Sequence, residues 1–194
     1  MKKIVVFLVF FVFSHSWAQD FKIGLTLAPT INFNKEEVKI DDKWKSVDGT
    51  GGLGWKGGLL ADYRFAGNYY LHSGLLIHSK SFDSDKVDMK VTTLEVPLAL
   101  KLRSKEVADN IHITGFFGAT LDFNVAAKAG DYDVKDQINA FGTSFMAGAG
   151  AEYDLDFGSI GLGLSYHLGF TDVYKSDLVK AMPKHLSIDL VFYF

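Results

Sequence analysis

Over residues 21–33 apolar and polar positions alternate, with Phe21, Ile23, Leu25, Leu27, Ile31 and Phe33 on one face and Lys22, Gly24, Thr26, Ala28, Thr30 and Asn32 on the other. A period of two predicts a strand with one wet side. The pattern returns at Trp55, Leu59, Ala61, Tyr63 and Phe65, opposite Lys56, Gly58, Leu60, Asp62 and Arg64. Further segments of this kind cover residues 69–79, 91–102, 111–125, 141–153, 159–170 and 185–194, which makes eight strands. Each has about ten residues or more, longer than the usual globular strand and close to what a tilted strand needs to cross a bilayer.

The connections alternate in length. Those near residues 34–54, 80–90, 126–140 and 171–184 are long and polar, whereas 66–68, 103–110 and 154–158 are shorter. An up-and-down barrel puts odd connections on one rim and even ones on the other, and outer-membrane barrels have long outer loops and short periplasmic turns. Aromatic residues then fall at two depths, with Phe21, Tyr63, Phe65, Tyr69 and Tyr153 at the short-turn end and Phe33, Trp55, Phe123, Phe141 and Phe170 at the other. Two interfacial girdles suit lipid. The expected fold is all-β, an eight-stranded antiparallel up-and-down transmembrane β-barrel. A soluble barrel of lipocalin type would instead bury its apolar face and show charge outside.

The N-terminus carries Lys2 and Lys3 before the apolar run 4–13 and the small-residue pattern Ser16-Trp17-Ala18. This reads as a secretory signal peptide over 1–18, cut after Ala18, with the barrel domain over 19–194. About ten apolar residues are too few to span roughly 30 Å of hydrocarbon. Cleavage removes two of the 20 basic residues, Lys2 and Lys3, leaving 18 against 23 acidic ones. Such a balance offers no basic footprint for nucleic acid. With no cysteine in 194 residues, disulfides, thiolate metal sites and cysteine nucleophiles are excluded. The abundance of Gly (19), Phe (17) and Tyr (8) against Pro (3) suits aromatic-rich strands joined by tight turns.

An eight-stranded barrel is just wide enough for its own side chains to fill. The inward register holds Lys22, Lys56, Arg64 and Lys101 against Asp62, Glu95, Asp122, Glu152 and Asp189, which predicts a paired charge network. Expected partners are Arg64 or Lys56 for Glu95, and Asp122 or Glu152 for Lys101. Pro97 cannot donate to a ladder, so a bulge is expected there. His72, His78, His112, His167 and His185 also face inward by register. His72 and His78 stand six residues apart on one strand, roughly 20 Å at 3.3 Å per residue, and cannot share a metal. His167 and His185 approach one another on neighbouring strands with no third ligand evident, so no metal or cofactor is assigned. His185, Ser187 and Asp189 share a register, but alternate residues lie almost 7 Å apart, too far for a nucleophile, its base and an orienting group. No catalytic residue is assigned.

The segment Leu94-Glu95-Val96-Pro97-Leu98-Ala99-Leu100-Lys101 resembles the Leu-Glu-Ile/Val-Pro-Leu-x-x-Lys signature of the PorT-like outer-membrane β-barrel family. Tyr70-Leu71-His72-Ser73-Gly74-Leu75, Ala147-Gly148-Ala149-Gly150-Ala151 and Tyr166-His167-Leu168-Gly169-Phe170-Thr171-Asp172 are similar to its other motifs. The resemblance implies an eight-stranded barrel in the outer membrane of a Gram-negative envelope and a place accessory to protein secretion, since the family is named for a component needed by the type IX system. The final strand, with its apolar stripe through Phe192 to Phe194, also resembles that of outer-membrane barrels in general, which their assembly machinery reads, and Phe194 is the matching terminal position.

Loop 34–54 interleaves Lys35, Lys39, Lys43 and Lys45 with Glu36, Glu37, Asp41, Asp42 and Asp48, a solvated surface rather than a site for one charged ligand. Val38-Lys39-Ile40 and Lys43-Trp44-Lys45 suit a hairpin beyond the membrane, on which Trp44 is the candidate contact for a protein partner. The expected role is a non-enzymatic outer-membrane protein, structural or docking a partner. The alternative is a narrow channel for small solutes or ions.

Overall fold

The computed structural model describes residues 20–40, 43–47, 51–82, 89–175 and 179–194; the expected signal peptide lies outside them. The strands are β1 (Phe21–Ile40), β2 (Lys43–Val47), β3 (Gly51–Ala66), β4 (Tyr69–Phe82), β5 (Met89–Ala108), β6 (Ile111–Ala129), β7 (Tyr132–Asp133), β8 (Phe141–Leu155), β9 (Gly158–Gly169) and β10 (Val179–Tyr193). Eight of them, β1, β3, β4, β5, β6, β8, β9 and β10, pair in that order, and β10 returns to β1 to close the barrel. Closure removes every edge within the wall. β2 and β7 are extensions at the long-loop end, paired with β1 and β6.

The alternation sorts the side chains as its period requires. Leu25, Leu59, Leu75, Ile113, Leu164 and Leu190 are exposed on the outer wall, while Thr30, Lys56, His78, Glu95, Asp122 and Ser187 are buried inside. This inversion of a globular protein fits a hydrocarbon solvent. Phe21, Tyr63, Phe65, Tyr69 and Tyr153 are exposed at the short-turn rim, and Trp55, Phe123, Phe141 and Phe170 at the other.

All three short connections are two-residue turns: Gly67-Asn68, Asp109-Asn110 and Asp156-Phe157. Gly67 (φ 51°) and Asn110 (φ 61°) take the left-handed conformation that such turns demand. The segment 103–110, expected as one of the shorter connections, is mostly strand. Arg103, Glu106 and Ala108 pair with Thr114, His112 and Ile111, and two register shifts blur the alternation that would reveal it.

No bulge marks Pro97. It pairs with Thr120 on β6, and the register to β4 is the same on either side of it, Ser73 with Leu98 and Leu76 with Glu95. The ladder is simply open for the two pairs between, where Gly74 and Leu75 face Pro97 and Val96. Proline's missing donor thus costs a short gap and no shift in register. Pro29 makes the same kind of gap between β1 and β10, where the pairing skips from Leu27–Leu190 to Thr30–Ser187.

At the long-loop end, Phe82, Val91, Ala127, Ile138, Val173 and Ala181 form an apolar cluster over the barrel mouth. Ile138 and Tyr174 bridge two loops, and Asn139 fastens them by donating from its side chain to the carbonyls of Asp172 (2.7 Å) and Tyr174 (3.2 Å).

Candidate functional site

Two polar clusters divide the lumen. At the short-turn end, Lys101 from β5 donates through Nζ to Asp62 Oδ2 (2.6 Å), to Glu152 Oε1 (2.6 Å) and to the Tyr193 hydroxyl (2.9 Å). Asp62 holds His72 Nδ1 at 2.5 Å. On the other side Arg103 reaches Glu152 Oε2 (2.8 Å) and Asp154 Oδ1 (2.5 Å), and Asp154 Oδ2 lies 3.2 Å from His112 Nε2. The result is one chain, His72–Asp62–Lys101–Glu152–Arg103–Asp154–His112, in which acids and bases alternate. Within this chain each charge meets an opposite one.

The cluster at the long-loop end is built on imidazole. Lys56 Nζ lies 3.2 Å from Asp189 Oδ1, 3.4 Å from Ser165 Oγ and 3.3 Å from His167 Nε2. Glu95 Oε1 accepts from His78 Nδ1 (2.6 Å) and from Lys80 (3.1 Å), and the far nitrogen of His78 meets Thr30 Oγ1 at 3.1 Å. The His185 ring stacks on His167 with centroids 4.0 Å apart and meets His78 edge-on at 4.5 Å. Asn32 Oδ1, Glu95 Oε2, Asp122 Oδ1, His167 Nδ1 and His185 Nε2 are buried here without a hydrogen-bond partner among the described residues. Between the clusters Leu60, Leu76, Pro97, Met146 and Val191 line a largely apolar cleft whose far wall includes Gly150, Gly161 and Gly163.

Of the residues singled out by register, Asp62, Lys101 and Glu152 come together at one end, and Lys56 and Asp189 at the other. Asp122 lies in the second group, where it accepts from Ser144 Oγ at 2.6 Å, and it does not meet Lys101. Glu95 pairs with His78 and Lys80, neither of its expected partners. Arg64 is the correction that matters most. It lies at the rim, its side chain 40% exposed, in an ion pair with Asp20 at 2.8 Å and outside the buried network. Alternation assigned its face correctly but carries no information about depth, and Arg64 is two residues from the end of β3. Sequence reasoning also missed Lys80 and Arg103, both in stretches taken as connections.

Ser187 bonds to Ser165 (2.6 Å) and Asp189 (3.2 Å) within the outer cluster, an arrangement that stitches β9 to β10. The β1–β2 hairpin forms with Lys39 opposite Trp44 and Ile40 opposite Lys43. Trp44 is 40% exposed, and the Lys180 ammonium sits 4.4 Å from its ring centroid. Phe192 and Phe194 meet edge to face at 5.1 Å, with Phe194 exposed on the outer wall.

Solved structures share the fold at low identity. OprG of Pseudomonas aeruginosa is 12% identical with a TM-score of 0.53, covering 90% of this chain and 96% of its own. The outer membrane protein AlkL is 12% identical, with a TM-score of 0.51 and 90% of each chain covered. Neisserial surface protein A is 14% identical, with a TM-score of 0.50, 88% of this chain and 97% of its own covered. No curated protein matches the chain. Residues 17–175 match the outer membrane protein beta-barrel domain family, so the chain belongs to that family and resides in the outer membrane, in contact with its lipid.

Proposed function

We propose that this barrel is a non-enzymatic, non-conducting envelope protein that docks a protein partner through its long-loop rim. The observation that carries this reading is a lumen obstructed twice, by the ion-pair chain around Lys101 and by the apolar cap around Ile138. Function then falls to the rim, where β2 pairs with β1 alone among the described strands and leaves an edge for β-augmentation beside Trp44. An accessory place in protein secretion, which the PorT-like resemblance implies, falls within this reading. Purified barrel in planar bilayers should give no discrete conductance steps. Steps that scale with solute size would instead establish the narrow channel.

The same reading has residues 1–18 removed on export and the long loops outside the cell. Cysteines at Trp44, Asp85, Asp133 or Lys175 should react with an impermeant maleimide on intact cells, and cysteines at Asn68, Ala108 or Asp156 only after the outer membrane is breached; Asp85 lies outside the described residues. The reverse pattern overturns the orientation.

A further inference from the structure

The imidazole cluster has a property the ion-pair chain lacks: acceptor atoms that nothing in the protein uses. We propose that His78, Glu95 and His185 form a binding site for a transition-metal dication of the Zn²⁺ type, inside the long-loop half of the lumen. One ligand atom of each lies within 4.8 Å of those of the other two, and all three residues are buried. They come from opposite walls, His78 and Glu95 from β4 and β5, His185 from β10.

The hydrogen bonds show which atoms are committed. Glu95 Oε1 already takes His78 Nδ1 and Lys80, and His78 Nε2 meets Thr30 Oγ1, so His78 ligates a metal by exchanging one of these hydrogen bonds for it, whereas Oε2 of Glu95 has no partner. His185 Nε2 has none either. A carboxylate oxygen and an imidazole nitrogen, each buried and each without a donor among the described residues, are ligands of the kind zinc takes. Buried polar groups are seldom left unmatched, so two on facing residues point to something that binds both. Zn–N and Zn–O bonds of about 2.0–2.2 Å put tetrahedral ligands some 3.4 Å apart, so each ligand atom moves by less than about 1 Å. His167 stacks parallel on His185 and faces Lys56 through Nε2, and it stands outside the group whose ligand atoms converge.

The ammonium of Lys80 opposes a dication, but it is already paired with Glu95 Oε1. Lys56 is likewise held by Asp189. Two imidazoles and one carboxylate leave a fourth position for water, and imidazole favours Zn²⁺, Cu²⁺ and Ni²⁺ over Mg²⁺ or Ca²⁺. A separate cleft at the long-loop end is lined by Lys80, Asp122, Ser144, Thr171 and Asp172 together with Phe82, Val91 and Val173 of the apolar cap.

The test uses full-length barrel in detergent, stripped with a chelator and titrated with Zn²⁺ alone, and with Cu²⁺ for electron paramagnetic resonance. The expected result is one Zn²⁺ per chain and a Cu²⁺ spectrum with hyperfine splitting from imidazole nitrogen. H185Q should weaken Zn²⁺ binding by at least about tenfold while the folded-barrel gel shift persists. His112→Gln, in the other cluster, should leave binding unchanged. If H185Q does not fold, the Cu²⁺ spectrum of the unaltered protein decides. Absence of stoichiometric Zn²⁺, binding that survives H185Q in folded protein, or a Cu²⁺ spectrum without nitrogen splitting overturns the proposal.

Discussion

The two ends of the lumen solve the same problem differently. Both must seat charged and polar side chains in a space too narrow for bulk water. At the short-turn end every step of the His72-to-His112 chain joins a carboxylate to a cation or imidazole, with distances of 2.5–3.2 Å. At the long-loop end three imidazoles crowd together, and Glu95, His167 and His185 keep buried atoms unpaired. One half is a cross-brace and the other is prepared to bind, because a ligand needs groups that the fold has not already consumed.

The largest effect should follow from cutting the brace. Lys101→Met leaves Asp62 and Glu152 facing one another across the lumen without their shared ammonium, and should cost about 3–5 kcal/mol, read as a lowered urea midpoint and a weakened folded-barrel gel shift. Glu95→Gln in the other half keeps an acceptor for His78 and Lys80 and removes only the charge, so its cost should be smaller, about 1.5–3 kcal/mol. An equal or larger loss for Glu95→Gln would erase the distinction between the halves. The smallest equilibrium effect belongs to the rim beneath the brace. Phe194 is 64% exposed on the lipid side, and its deletion should barely move the urea midpoint in detergent. The amount inserted in cells should nonetheless fall, if assembly reads the terminal aromatic; normal insertion would remove that role.

Much of this was legible in the sequence because period two is a strong signal. It placed Lys56, Asp62, Glu95, Lys101, Asp122, Glu152 and Asp189 on the inner face, and the hairpin of Val38–Ile40 with Lys43–Lys45 was readable from its flanking apolar residues. What alternation omits is depth and register. Arg64 shares a face with Asp62 but sits at the water line, and Lys80 meets Glu95 because β4 and β5 pair at an offset that no single strand encodes. The His78–Glu95–His185 grouping is further removed still, since it depends on closure bringing β10 around to face β4. Where β6 carries the extra residue Val125 opposite the Thr92–Thr93 step, or where Arg103 and Glu106 break the register, the period itself fails.

Closure also has an entropic side. Neighbouring strands at the short-turn end are joined by two residues, so their pairing costs little chain entropy, whereas Thr26 Oγ1 reaches the Leu190 carbonyl across 164 positions. The meeting of β1 and β10 therefore carries the largest loop-closure entropy of any pairing in the wall. Pro29 splits that seam into a stretch of four pairs, Gly24 to Leu27, and a longer one from Thr30 to Val38 that continues above the wall. The longer stretch runs from the wall into the root of the projecting hairpin, so the hairpin extends the closing seam of the barrel beyond the outer aromatic girdle.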